Sequence, residues 1–318
     1  MWSWSLLPSQ EHNRACSNSM GPRNHQHNSR RYNPLSLGSR VLRRTGRTLI
    51  RAGELLAPTP KLTKSERQLL QRNQIFRDCH RGKRAFVIGT GPSLQDQPIN
   101  ALASEITYAM SAFWKHESTK YWQPTYYSLS DPIYFDGSEQ IRSFFRSLNE
   151  HIHDSTFFVP AFGRSVVQEQ KLLPEEKTYW LSFAGELTTL DRPSIDFTEP
   201  IPSAMTISQL SLMAAIYMGC SPIYLLGLDH DWLAHRNEHQ HFYKGHAGLE
   251  SHPEVKPSMA DHSYRITMEA VLVVWKGYEV LKEVARRKGI TILNATNGGF
   301  LDVFERVDYR DVIDTHKQ

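Results

Sequence analysis

From residue 62 onward the chain alternates short apolar runs with stretches of helical periodicity. "KLTKSERQLLQRNQIF" predicts a capped helix, and the four apolar residues from Ala85 to Ile88 in "RAFVIGTG" predict a buried strand that runs into a glycine turn. Three further strand patterns follow: "EITYAMSAF", "TYYSLSDP", which ends at Ser130-Asp131-Pro132, and "STFFVPAF". The most regular unit is "TISQLSLMAAIYMGCSPIYLLGLDHDW". It places Ile207, Leu210, Ala214, Ile216 and Met218 on a helix, closes that helix at Gly219 and continues into the strand "PIYLLGLD". "EVLKEVARRKG" is an amphipathic helix stopped by Gly289, followed by the strand "ITILNAT" and the turn "NGGFLDVF". Strands alternating with helices in this way predict an α/β fold, a Rossmann-like, doubly wound and mostly parallel sheet.

In such a sheet the ligand lies beyond the carboxyl ends of the strands. Gly89, Thr90, Gly91, Pro92 and Ser93 follow the first strand. The two glycines permit positive φ and close approach of the backbone, and Pro92 suits the first turn of a helix, where its missing N–H costs nothing. That turn would present free amides to a phosphate or carboxylate, or serve as an ordinary strand-to-helix corner. The dinucleotide fingerprint would need a glycine where Leu94 stands, and the P-loop ending is missing. Ser111 and Asp131, at the ends of the next strands, would converge on the same edge. Thr206 and Ser208 open the later helix, and Asp229, His230 and Asp231 end its strand, a second half-site facing the first. Two anion-binding ends fit a nucleotide-linked phosphate. Asn294, Thr296 and Gly298 would line the same cleft or shape a tight turn.

Composition sharpens the organisation. At 318 residues, with 40% hydrophobic, the chain can bury one large domain with an appendage. No apolar run approaches the ~20 residues of a membrane span. Three cysteines, Cys16, Cys79 and Cys220, are too few for a disulfide framework, which fits a cytoplasmic protein. The net charge of +4 conceals an asymmetry: nine arginines fall within residues 1–60 against Glu11 and Glu54. This arm reads as largely disordered in its first half, with Met20 as an alternative start. Within it, "LSLGSRVLRRTGRTLIRAGELL" would form an amphipathic helix lying on an anionic membrane face, or one packed on the protein itself or a partner. Stacking aromatics are not interleaved with these arginines, so nucleic acid is not expected as a partner. Residues 61–318 read as the main domain. Residues 230–264 hold seven histidines and little periodicity, which predicts a lid. Spacing permits His235, His239 and His241 as metal ligands, or as solvated loop residues. A neutral lid histidine suits a general base, and Tyr243, Lys244 and Arg265 would meet phosphate or a sugar carboxylate on closure.

Three blocks, "HRGKRAFVIGTGPSL", "MAAIYMGCSPIYLLGLDH" and "GITILNATNGGFLDVFERVDY", resemble the MptE-like family, named for archaeal 6-hydroxymethylpterin diphosphokinases. More distantly they resemble the family 42 bacterial sialyltransferases, over residues 78–312. The second resemblance implies a cytidine nucleotide surrounded by Gly91, Pro92, Ser93, Ser111, Asp131, Thr206 and Ser208. Ser111 and Asp131 stand where those transferases carry asparagine, and a carboxylate beside a diphosphate repels it unless a cation intervenes. The catalytic histidine of the transferases has no clear counterpart: a register anchored on "WKGYEVLKE" puts Glu269 in its place, with His246 or His262 as substitutes from the lid. Three functions follow as expectations. The first is a glycosyltransferase using a nucleotide sugar such as a CMP-linked nonulosonate and a hydroxyl acceptor, without a cofactor, in surface polysaccharide synthesis at the inner membrane face. The second is a magnesium-dependent pyrophosphoryl transfer from ATP, with Asp131, Asp229 and Asp231 as metal ligands. The third is a non-catalytic nucleotide- or glycan-binding protein.

Overall fold

A computed structural model of the chain describes residues 62–190, 193–236, 241–243 and 263–314. The basic arm, His246, His262 and most of the lid expected at 230–264 lie outside the described residues. Eight strands form one sheet: β1 (Ala85–Ile88), β2 (Ile106–Met110), β3 (Tyr126–Ser128), β4 (Thr156–Pro160), β5 (Thr178–Leu181), β8 (Ile223–Leu226), β9 (Ile292–Asn294) and β10 (Glu305–Arg306). Their order is β10-β9-β8-β1-β2-β3-β4-β5, and every described pair is parallel. A separate parallel pair joins β6 (Phe183–Glu186) to β7 (Ile201–Ser203). The Rossmann-like α/β architecture read from the alternating pattern is therefore present.

The continuous apolar run of β1 has a direct cause. Ala85 and Val87 face a core shared with the buried helix α4 (Ile207–Tyr217) and the long helix α5 (Tyr264–Arg287). Phe86 and Ile88 face a second core under α2 (Glu139–His151), with Phe144, Phe145 and Leu148. A parallel strand covered on both faces has no polar alternation to show. Before β1, α1 (Lys64–Gln71) starts at a capping box in which Thr63 and Glu66 satisfy each other's backbone N–H groups. The short α3 (Arg164–Glu169) and α6 (Tyr309–Asp314) complete the described helices.

Helix α4 is buried from Ser208 to Tyr217, sandwiched between the sheet and α5. The two helices cross closely because α5 has a glycine at the crossing. A Cβ on Gly277 would lie 2.4 Å from Gln209 Nε2, which itself donates to the Val274 carbonyl at 2.8 Å. Gly219, at φ +75°, ends α4 as its position in the sequence requires. Two elements differ from expectation. The turn after β1 continues as a five-residue 3-10 helix, Pro92–Asp96, and α5 begins at Tyr264, well before the periodic stretch "EVLKEVARRKG". No described helix is long and apolar enough to cross a membrane.

Candidate functional site

The chain builds the sheet outward from β1 to β5 in one direction, then returns to lay β8, β9 and β10 on the other side. The reversal lies between β1 and β8, so the carboxyl-end crevice is bounded by residues 89–93 and 227–231. Its floor is closed by protein. The strand pairing continues past both ends, with Gly89 N–H to the Leu226 carbonyl at 2.8 Å and Gly91 N–H to the Gly227 carbonyl at 2.9 Å. Ser93 then turns toward Asp229, donating its hydroxyl to Oδ2 at 2.9 Å and its N–H to Oδ1 at 3.3 Å.

This corrects the picture of a ring of free amides. The Ser93 N–H is taken by a carboxylate of the chain itself, and the turn leads into a 3-10 helix, which presents a much shorter run of aligned amides than an α-helix. The glycines do serve close approach, but of protein to protein. A Cβ on Gly91 would fall 1.7 Å from Asp229 Oδ2, and one on Gly89 2.4 Å from the Gly227 carbonyl oxygen. Burial pushes the Asp229 carboxyl above its ordinary range, against the two Ser93 bonds that favour its charge; neighbouring Asp231 pushes the same way as burial.

Beside it, His230 adopts φ +50°, a left-handed conformation uncommon for a non-glycine residue, and is buried. Its Nε2 lies 2.7 Å from the Tyr278 hydroxyl of α5. The same hydroxyl lies 2.7 Å from Ser208 Oγ, which is 2.9 Å from Thr206 Oγ1. A line of hydroxyls thus runs from the half-buried rim at Thr206 inward to the imidazole. Burial depresses the His230 pKa to about 3 and lifts that of Tyr278 to about 12, so both are neutral at ordinary pH. Deeper in, Ser211 Oγ donates to Ser128 Oγ at 3.1 Å. Thr206 also caps α4 reciprocally with Gln209, which fixes where its hydroxyl sits.

Residues 241–243 of the histidine-rich segment sit on the glycine turn. Phe242 N–H donates to the Thr90 carbonyl at 2.9 Å, and Thr90 Oγ1 lies 2.9 Å from His241 Nδ1. The His241 and Tyr243 rings stack at 4.9 Å, with Lys115 Nζ 5.3 Å from the Tyr243 ring centre.

The remaining expected positions divide. Ser111, at φ +51°, ends β2, its N–H donating to the Ser128 carbonyl at 3.3 Å and its own carbonyl accepting from Tyr127 at 2.8 Å. Asp131 accepts from Ile133 N–H at 3.1 Å and caps the turn Pro132–Phe135. Asn294 and Thr296 shape the turn: Asn294 donates to the Leu301 carbonyl at 2.8 Å and accepts from Thr296 N–H at 3.0 Å, and Thr296 Oγ1 accepts from Leu228 N–H at 3.2 Å. Glu269 is on the exposed side of α5, ion-paired to Arg265 at 2.6 Å, whereas the helix turns Thr267, Ala270, Val274 and Tyr278 inward. The base expected there does not face the crevice. Among the described residues no three His, Cys, Asp or Glu side chains are grouped to hold a metal ion, so Asp131, Asp229 and Asp231 do not form the expected ligand cluster. Tyr278, which joins His230 to Ser208, has no local signal in the sequence beyond its place on the inward face of α5.

No family model matches the chain, and no curated protein matches it. Solved structures are similar at a distance. The MAf glycosyltransferase of Magnetospirillum magneticum AMB-1 is 13% identical, over 77% of this chain and 38% of that one, with a TM-score of 0.43. The chain thus spans 38% of that protein's length. The sialyltransferase CST-II, in complex with a trisaccharide acceptor and CMP, is 13% identical over 71% of this chain and 86% of that one, at a TM-score of 0.42. CstII from Campylobacter jejuni with the substrate analogue CMP-3FNeuAc gives 14%, 71%, 86% and 0.43. At these scores none of them assigns a residue or an activity to this chain.

Proposed function

We propose that the chain is a transferase for a nucleotide-linked substrate, in first place a glycosyltransferase that moves a sugar from a nucleotide sugar to a hydroxyl acceptor. The observation that carries this reading is the Thr206–Ser208–Tyr278–His230 line at the carboxyl edge where the strand order reverses. Neutral hydroxyls can donate to phosphate oxygens and exchange hydrogen bonds with sugar hydroxyls without bringing a charge that must be neutralised. In this reading Ser111, Asp131, Thr206 and Ser208 contact the nucleotide, the three sequence blocks support a CMP-linked nonulosonate as donor, and His246 or His262 takes the acceptor proton.

Pyrophosphoryl transfer from ATP with magnesium ranks second, because Asp229 is committed to Ser93 and the three aspartates are not grouped. Non-catalytic nucleotide or glycan binding is favoured by one observation, the exposed position of Glu269.

A thermal-shift panel of CMP, CDP, UDP, GDP and ATP, each with and without magnesium, separates these readings. A ligand at ~100 times its dissociation constant adds ~2.7 kcal/mol to stability. Stabilisation by CMP without magnesium is the expected result; stabilisation by ATP only with magnesium would move the assignment to the kinase. CMP binding without turnover of a CMP-sugar would favour the binding protein. Sedimentation with anionic liposomes at physiological salt tests membrane contact through the arm.

A further inference from the structure

The outward face of α5 carries a half-exposed apolar stripe, with the Arg236 guanidinium 4.9 Å from the Tyr264 ring centre at its start. Tyr264, Met268 and Leu272 follow one another at four-residue spacing and are 49%, 43% and 54% exposed. Positions four apart share one side of a helix, so these three form a continuous ridge. Partly buried Val271 and Trp275 border it toward the protein. The segment after β9 extends it: Trp275 Nε1 donates to Asp302 at 2.8 Å and Lys282 Nζ to the Val303 carbonyl at 2.6 Å, and the same segment carries Phe300, 53% exposed. A contiguous exposed apolar patch rimmed by polar residues is the kind of surface that marks a protein–protein contact.

Charge decides what fits it. Arg265, Glu269, Lys276 and Glu279 lie exposed along the ridge and alternate as one positive, one negative, one positive, one negative. If a second α5 lies antiparallel with its two-fold axis at Leu272, Arg265 meets Glu279 of the second copy and Glu269 meets Lys276 of the second copy. The first pairing is centred on Leu272 and the second half a residue beyond it, toward Val273, and each occurs twice by symmetry. A parallel pairing would instead set like charges side by side. We propose that this ridge is a homodimer interface, with the two α5 helices antiparallel across a two-fold axis at Leu272 and each Phe300 segment at its margin. The interface is isologous, so one self-complementary patch suffices to close the assembly. It is independent of the activity assigned to the crevice.

The test is the mass of the full chain by sedimentation velocity over a concentration series. Twice the chain mass is expected, falling to a single chain mass in Leu272→Asp, a substitution at an exposed position whose fold is checked by near-UV circular dichroism. Glu269→Lys and Lys276→Glu should each weaken the dimer, and the double reversal should restore it. Leu272→Cys places a thiol at the axis and should cross-link two copies under mild oxidation where the unsubstituted chain does not, a readout that stands if Leu272→Asp fails to fold. A monomer at every concentration, a dimer indifferent to Leu272→Asp, a double reversal no tighter than either single one, or no cross-link from a dimeric Leu272→Cys would each overturn the proposal.

Discussion

Ser93 binds Asp229 twice, through its hydroxyl at 2.9 Å and its N–H at 3.3 Å, across the point where the strand order reverses. The contact requires the preceding glycine. A methyl group at Gly91 would lie 1.7 Å from Asp229 Oδ2 and 2.7 Å from the Gly227 carbonyl oxygen, so backbone as well as side chain must give way. Gly91→Ala should cost about 1–3 kcal/mol, the usual range for overpacking. Urea denaturation checks it, and an unchanged midpoint would mean that the two strand ends do not approach as described.

Asp229 should make stability fall as pH rises. Its folded pKa is raised above 3.8 by burial, so between 3.8 and the raised value the native state holds a proton that the unfolded state has lost. Its contribution is fully present below 3.8 and is lost as pH climbs through the folded pKa. Asp229→Asn has no such proton. The stability of the variant relative to the parent should therefore increase as pH rises above 3.8 and level off above the folded pKa. A difference that stays flat across denaturation curves in that range would contradict the raised pKa.

His230 has the opposite sign. Its folded pKa, depressed to about 3 from 6.5, lets the unfolded chain take up a proton that the native state refuses. The stability this gives is complete above 6.5 and is lost progressively as pH falls through the window down to about 3. One proton corresponds to ~1.4 kcal/mol per pH unit. His230→Gln should lack that slope, while the smaller contributions of His80 and His116, also depressed by burial, cancel in the comparison. Equal slopes below neutrality would mean that His230 is hydrated in the native state.

The order of strands and helices around β1, α4 and β8 was legible because their apolar runs end at glycines that stop each element, Gly89 and Gly219 above all. The site was less legible because its partners are remote. Ser93 and Asp229 are 136 positions apart, and Tyr278 is 48 from His230 and 70 from Ser208, so no local spacing records either contact. A ligand and a buried carboxylate make the same demand for close approach, so the glycine turn by itself does not tell an anion cradle from a contact within the protein. The first half of α5 is hidden in the sequence for another reason. Its exposed Tyr264, Met268 and Leu272 blur the contrast between an inward apolar face and an outward polar one on which the pattern depends.

Tyr278 offers the sharpest test of the buried line. Its hydroxyl is shared between His230 Nε2 and Ser208 Oγ, both at 2.7 Å, with the Thr206 side chain also beside it. Tyr278→Phe keeps the ring and its contact with Phe304 while leaving both neighbours short of a hydrogen bond, which should cost about 1–3 kcal/mol. Ser208→Ala removes one of those neighbours and with it part of the penalty. The double variant should then lose less than the two single losses together, with a coupling of about 0.5–3 kcal/mol between them. Strict additivity in urea denaturation would show that Tyr278 and Ser208 act separately, and would remove the hydroxyl line on which the transferase reading rests.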